Sequence, residues 1–295
     1  MSLWEALVLG LVQGLTEFLP ISSSAHLRVL GEFLPSAADP GAAFTAIIQI
    51  GTELAVLVYF RREVWAIIRS WVLSWRQGGR PINQDARLGW LIILGSVPIV
   101  ALGFIFKDSI ETQLRNLYIT GAMLIVFGLA LGAADLRAGR LAGGRRGERA
   151  AHRAGRGEPK SLDGIGLRDG LLYGLAQALA LIPGVSRSGG TITAGLLMGY
   201  SREAAARYSF LLAMPAVFGA GALELVRALG EDAALAAGWG NTLAAGAVAF
   251  AVGYVVIIGF LKIVSTYSYR PFVYYRLALG AAVIALLGAG VLYAG

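Results

Sequence analysis

Unbroken apolar runs, each about as long as a bilayer is thick, dominate this chain. They predict spans near 41–60, 87–107, 117–135, 204–227, 240–262 and 273–293. A helix needs roughly 20 such residues to cross hydrocarbon. The runs are continuous rather than alternating, which excludes a membrane barrel. Two further apolar stretches, 3–35 and 168–200, are interrupted at their centres by proline, serine and glycine. Each reads as two short helices that dip in and return to the same side. Backbone broken at membrane depth is tolerated only where protein buries it or it lines a wet cavity.

Composition agrees with this pattern. The chain is 57% hydrophobic and 15% charged, with a mean hydropathy of +0.67. A soluble domain of this length needs more polar surface. The net charge of +7 is gathered into loops, so it reports orientation and implies no nucleic-acid partner. One loop carries Arg61, Arg62, Arg69, Arg76, Arg80 and Arg87. Another carries Arg137, Arg140, Arg145, Arg146, Arg149, Arg153, Arg156, Lys160 and Arg168. Positive loops stay inside, which places the acidic loops near 108–116 and 228–239, and both termini, outside. Residues 62–76 read as a helix lying on the inner face. Trp65, Trp71, Trp75, Trp90, Tyr267, Tyr269, Tyr274 and Tyr275 read as interfacial anchors. No cysteine is present, so disulfides and thiolate chemistry are excluded. The start of the chain lacks a basic region and a cleavage site, and reads as mature protein rather than a signal.

With both basic loops on one side, the first broken segment enters from outside and the second from inside. Three crossings follow each. The predicted fold is an all-α polytopic membrane protein of inverted-topology repeats, with about six full transmembrane helices plus two re-entrant helix–loop–helix hairpins. The first repeat covers 1–135, with its hairpin at 3–35. A basic cytoplasmic linker covers 136–167. The second repeat covers 168–295, with its hairpin at 168–200. Gly174 minus Gly10 and Ser186 minus Ser22 both give an offset of 164. Such repeats place their site near the midplane, where broken helices meet.

The broken segments also carry the candidate chemistry. Gln13 and Glu17 lie four apart, on one helical face. A carboxylate in hydrocarbon is costly and marks a functional candidate; Glu17 could hold a hard cation or move a proton. For Gln13 an interhelical hydrogen bond is an equal alternative. After Pro20 come Ser22, Ser23 and Ser24. One can cap the next helix, and the remaining hydroxyls with the helix-start amides make an anion site. His26 follows within a turn, as acid, base or nucleophile; the only other histidine, His152, lies in the linker. The second segment reads Pro183-Gly184-Val185-Ser186-Arg187-Ser188-Gly189-Gly190-Thr191. Gly184 lets backbone amides approach an anion, and Ser186, Ser188 and Thr191 add donors. Arg187 supplies a planar charge suited to two phosphate oxygens. The order is not that of a Walker loop. Arg187 could also pair with Glu17 and part from it when substrate arrives. Facing each other, the segments would form a phosphoryl-transfer site for a lipid with a phosphate head.

The stretch Gln13 to His26 resembles the (E/Q)xxxE motif, with its following proline, serines and histidine, of the undecaprenyl-diphosphate phosphatase family, the bacitracin-resistance membrane proteins. Pro183 to Thr191 resembles that family's PGxSRSxxT motif. The resemblance implies hydrolysis of undecaprenyl diphosphate to undecaprenyl phosphate and phosphate, recycling the lipid carrier for peptidoglycan synthesis in a bacterial inner membrane. It implies a divalent cation, Mg²⁺ or Ca²⁺, and a site opening to the periplasm. Glu17 would then support the metal or the reacting phosphate. Ser23 and His26 would be nucleophile or acid/base. Arg187, with Ser186, Ser188 and Thr191, would clamp the diphosphate. Gln13 stands where many members have Glu, so it supplies no charge. Self-association as a homodimer is left open. The main rival is a prenyl-phosphate flippase using the same anion site, since paired broken helices are also a transporter architecture. The KxxxxxxRP, PSGH and SRxxxxxHxxxD signatures of phosphatidic-acid-type phosphatases are absent.

Overall fold

The computed structural model describes residues 1–36, 41–142, 159–230 and 237–294. Its helices are α1 (Leu3–Thr16), α2 (Ser23–Gly31), α3 (Ala42–Tyr59), α4 (Arg61–Arg76), α5 (Gln84–Ile105), α6 (Lys107–Glu111), α7 (Leu117–Ala142), α8 (Leu167–Ala178), α9 (Arg187–Leu197), α10 (Arg202–Gly230), α11 (Trp239–Thr266) and α12 (Arg270–Gly288). Short 3₁₀ turns occupy Leu162–Gly164 and Leu179–Leu181. Among the described residues there is no strand, only one isolated bridge between Lys160 and Tyr200.

Five helices, α5, α7, α10, α11 and α12, are long and apolar enough to cross a membrane. A sixth candidate is α3, which meets α4 through an 85° bend at Phe60. The six predicted spans therefore appear as α3, α5, α7, α10, α11 and α12, and the protein is all-α and polytopic. The predicted surface helix is α4. It turns Val64 and Ile67 inward toward α5 and leaves Trp65 and Trp75 exposed.

One boundary differs from expectation. Helix α7 continues to Ala142, past the predicted end at 135, because Ala138, four residues after Ala134, carries its buried apolar face one turn further. Asp135 lies buried on that helix and accepts from Arg202 Nε at 2.6 Å. Residues 143–158 of the predicted linker lie outside the described residues. Its far end is docked: the Lys160 N–H donates to the Gly199 carbonyl at 2.9 Å, and the Ser201 N–H to the Lys160 carbonyl at 3.0 Å.

Packing crosses between the two halves of the chain. Helix α1 lies against α11, and α8 lies against α5. Both contacts depend on glycine. A Cβ at Gly10 would stand 2.3 Å from the Ala245 carbonyl oxygen, and one at Gly174 would stand 2.5 Å from that of Gly95. Small residues let helix backbones touch, and such contact drives association in lipid. Since the obstruction is backbone, it cannot rotate away. Gly174→Ala should cost about 1–3 kcal/mol, as overpacking does. The readout is thermal unfolding in detergent, with Gly219→Ala as control, because a Cβ there meets nothing within 4 Å. A Gly174→Ala protein as stable as that control would contradict the close α5–α8 contact.

Candidate active site

The two breaks share one unusual geometry. Ser22 (φ +73°) and Ser186 (φ +68°) are the only non-glycine residues with positive φ among the described residues. They are the pair related by the offset of 164. Such backbone costs on the order of 1–3 kcal/mol per residue and persists where surrounding structure enforces it. Each of these serines stands just before a helix and turns its hydroxyl toward the serine two residues on. The Ser22–Ser24 and Ser186–Ser188 oxygen distances are both 3.2 Å. The Ser188 hydroxyl also donates to the Leu19 carbonyl at 3.0 Å, so the start of α9 rests on the first break.

Between the breaks sits a buried charged cluster. Glu17 Oε2 accepts from Gln13 Nε2 at 2.8 Å and from the Ser23 hydroxyl at 2.6 Å. Glu17 Oε1 pairs closely with Arg187 Nη2. The same Nη2 donates to Glu53 Oε1 at 3.0 Å. Gln13 is 0% and Glu53 1% exposed. The second oxygen of Glu53 and the amide oxygen of Gln13 have no hydrogen-bond partner. The structure thus brings together Gln13, Glu17, Ser23 and Arg187 from both motifs.

Glu53 was not foreseen. It sits inside the apolar run of α3, where an ionisable side chain is itself the signal. Arg276 was missed for the same reason. It is 0% exposed and has no carboxylate among its described partners. Its guanidinium donates to the carbonyls of Pro20 (3.0 Å), Gly184 (2.8 Å), Val185 (3.1 Å), Leu124 (3.2 Å) and Met123 (3.3 Å). It therefore ties the first break to the second.

His26 lies beside this cluster rather than within its hydrogen-bond network. Its Nδ1 is 2.7 Å from the Ser22 carbonyl and its Nε2 is 2.7 Å from the Tyr275 hydroxyl. A carbonyl only accepts, which assigns the proton to Nδ1. In the neutral ring Nε2 then accepts from Tyr275. The two rings stack with centroids 5.5 Å apart. Tyr275, read from the sequence as an interfacial anchor, is also a partner of His26. Tyr269 is no anchor, being fully buried with its hydroxyl on the Arg202 carbonyl.

The remaining predicted ligands already have protein partners. Ser186 caps α9 by accepting from the Gly189 N–H at 3.2 Å. The Thr191 hydroxyl donates to the Arg187 carbonyl at 2.8 Å and meets Ser209. A Cβ at Gly184 would stand 2.3 Å from the Thr120 carbonyl oxygen, and its own carbonyl accepts from Arg276. Ser24 is exposed at the start of α2.

For a cation, Glu17 and Glu53 offer carboxylate oxygens and Gln13 an unpartnered amide oxygen. No cluster of three or more His, Cys, Asp or Glu occurs among the described residues. The donor set fits a hard divalent ion held by one or two carboxylates and completed by substrate phosphates. An open groove of about 550 Å³ shares no residue with this cluster; Tyr59, Phe60, Arg207 and Lys262 line it. Arg207 there is held by Glu63 at 2.8 Å, which leaves less of its charge for an anion.

Fold and site together define a polytopic helical membrane protein with a buried carboxylate–serine–arginine cluster built from two broken helices. The chain belongs to the family described as bacitracin resistance protein BacA, whose model matches residues 6–282 and so covers both motifs. It is 60% identical over 291 residues to undecaprenyl-diphosphatase 2 of Agrobacterium fabrum, covering 99% of this chain and 98% of that one. It is 56% identical over 291 residues to the undecaprenyl-diphosphatase of Micrococcus luteus, covering 98% and 99%. Undecaprenyl-diphosphatase 2 of Streptomyces coelicolor is 56% identical over 292 residues, covering 99% and 97%.

Proposed function

We propose that this protein is an integral membrane hydrolase that converts undecaprenyl diphosphate to undecaprenyl phosphate and inorganic phosphate. The observation that carries the chemistry is the Ser23 hydroxyl on Glu17 Oε2 at 2.6 Å, with Arg187 on the other carboxylate oxygen. A hydroxyl held by a base that a third group orients, here Gln13 Nε2 on Glu17 Oε2 at 2.8 Å, is the arrangement of an activated nucleophile. Ser23 Oγ attacks the terminal phosphorus and Glu17 takes its proton. The bond from that phosphorus to the bridging oxygen breaks, and the lipid monophosphate leaves. Water then attacks the phosphoserine, Glu17 returns the proton to Ser23 Oγ, and phosphate departs. Arg187 leaves Glu17 to neutralise the diphosphate, as phosphoryl transfer requires. A divalent cation, Mg²⁺ or Ca²⁺, held by Glu17, would add further charge neutralisation. His26, hydrogen-bonded to Tyr275, stands ready to exchange a proton near the start of α2.

The names borne by relatives across the whole length support this substrate. The setting follows from the same reading: a bacterial inner membrane, the site and both termini facing the periplasm, and recycling of the lipid carrier for peptidoglycan synthesis. The halves 1–135 and 168–295 are inverted repeats in this reading. The recurrence of the positive-φ serine and of the glycine contact at one offset supports that.

The test is phosphate release from farnesyl diphosphate by purified protein in detergent, with Mg²⁺, with chelator, and with Ser23→Ala. Metal-dependent release that disappears in the variant is expected. A variant that keeps its rate removes Ser23 as nucleophile. Tight lipid-diphosphate binding with no release overturns the hydrolase in favour of a flippase, which needs Arg187 but no serine–carboxylate pair.

A further inference from the structure

Arg187 Nη2 is shared by two carboxylates from different helices, Glu17 after α1 and Glu53 within α3. One guanidinium therefore stands between two negative charges, at the point toward which both groups direct an oxygen. Two atoms on residues of this cluster lack partners although fully enclosed, Glu53 Oε2 and, on the Gln13 that holds Glu17, Oε1. Both are hard oxygen donors. Buried polar atoms are almost always satisfied, so unpartnered ones need an explanation, an ion among them. Gln13 brings no charge, so Glu53 supplies the second carboxylate of this cluster.

We propose that Arg187 is the resident cation of a two-carboxylate site made by Glu17 and Glu53, and that a diphosphate head exchanges it for a divalent cation. The inference rests on the diphosphatase reading and gives Glu53 its part in it. When the guanidinium turns to the diphosphate, Glu17 and Glu53 lose their counter-charge. Two facing carboxylates in a buried site repel one another unless a cation stands between them. A divalent cation fits there through Glu17, Glu53, the Gln13 amide oxygen and the incoming phosphate oxygens. Without diphosphate, guanidinium and cation compete for the same oxygens. Diphosphate and cation binding are therefore positively coupled, and each raises the affinity of the other by one common factor. A residue acting only as a phosphate clamp has no such effect on the free enzyme.

The exchange predicts a reversal of sign at Arg187. Removing this residue should weaken diphosphate binding yet strengthen cation binding in the substrate-free protein. Mn²⁺ binding, followed through the free-ion electron paramagnetic resonance signal of detergent-purified protein, reads this directly. The substrate-free Arg187→Gln protein should bind Mn²⁺ roughly tenfold or more tightly than wild type, within the 5- to 150-fold usual for coupled sites. Arg187→Lys keeps a cation in place and should resemble wild type. Adding farnesyl methylenediphosphonate, which cannot be hydrolysed, should tighten Mn²⁺ binding to wild type by a similar factor, measured against a protein-free control. Glu53→Gln should abolish both gains.

Arg187→Gln binding Mn²⁺ no better than wild type overturns the exchange, and so does a gain that survives Glu53→Gln. The wild-type titration with and without the diphosphonate needs no substitution, so poor folding of a variant leaves the proposal testable. Failure of the broader reading looks different: wild type would release no phosphate and ignore the diphosphonate, while Arg187→Gln would still gain Mn²⁺.

Discussion

Glu17→Gln should lower phosphate release by roughly 10²- to 10⁴-fold, the usual contribution of a positioned proton acceptor. The substitution keeps volume and shape: the amide oxygen can still accept from Ser23 and Gln13, while the amide nitrogen, which cannot accept, releases Arg187. What disappears is the proposed base. The Ser23 hydroxyl would lie against an amide that cannot take its proton. The expected signature is in kcat rather than KM. On KM its two roles oppose each other, because Glu17 competes with the diphosphate for Arg187 and, as the proposed cation ligand, favours diphosphate binding, so KM should change less than kcat. Steady-state rates at several farnesyl diphosphate concentrations separate the two parameters. A loss below about tenfold, under the range for general acid–base catalysis, would remove Glu17 as the base.

Arg276→Leu should be the most damaging single change to the fold. Its guanidinium serves five backbone carbonyls, and three of them belong to the two breaks. Removing it leaves buried acceptors unpaired at about 1–3 kcal/mol each. The total should reach at least about 3 kcal/mol, or about 6 °C in the unfolding midpoint for a chain of this order of size. Arg276→Lys should recover only part of this, because an ammonium lacks the planar fork that spans several acceptors. Thermal unfolding in detergent measures both variants. An Arg276→Leu protein with an unchanged midpoint would show that the breaks do not depend on this residue.

The sequence made the spans legible because hydrocarbon imposes a length and a polarity that few other environments do. The bend after α3 was legible too, since Arg61 and Arg62 end an apolar run and tryptophans then recur along an amphipathic one. The breaks announced themselves through Pro20, Pro183 and their serines. Glu53 and Arg276 did not, because an uninterrupted run averages a single charge away. The rule applied to the broken segments, that an intramembrane charge is functional until shown otherwise, applies equally to the long spans. Tyr275 was hidden among aromatics that populate any membrane interface. Which helix meets which was also hidden: with 40 glycines in the chain, nothing marks Gly10 as the one that must touch Ala245.

That contact bears on how the protein is made. A ribosome that has delivered residues 1–142 has released α1 without α11, the surface its glycines are shaped to meet. Glu17 and Ser23 exist at that stage, but Arg187 does not, and the loop holding Ser22 has no Arg276 to fasten it. The fastening residue arrives on the last helix. With the site proposed above, truncated chains stay without a complete centre until translation has finished. A chain severed in the segment 143–158 and expressed as two pieces should accordingly regain its centre only when both pieces share one bilayer.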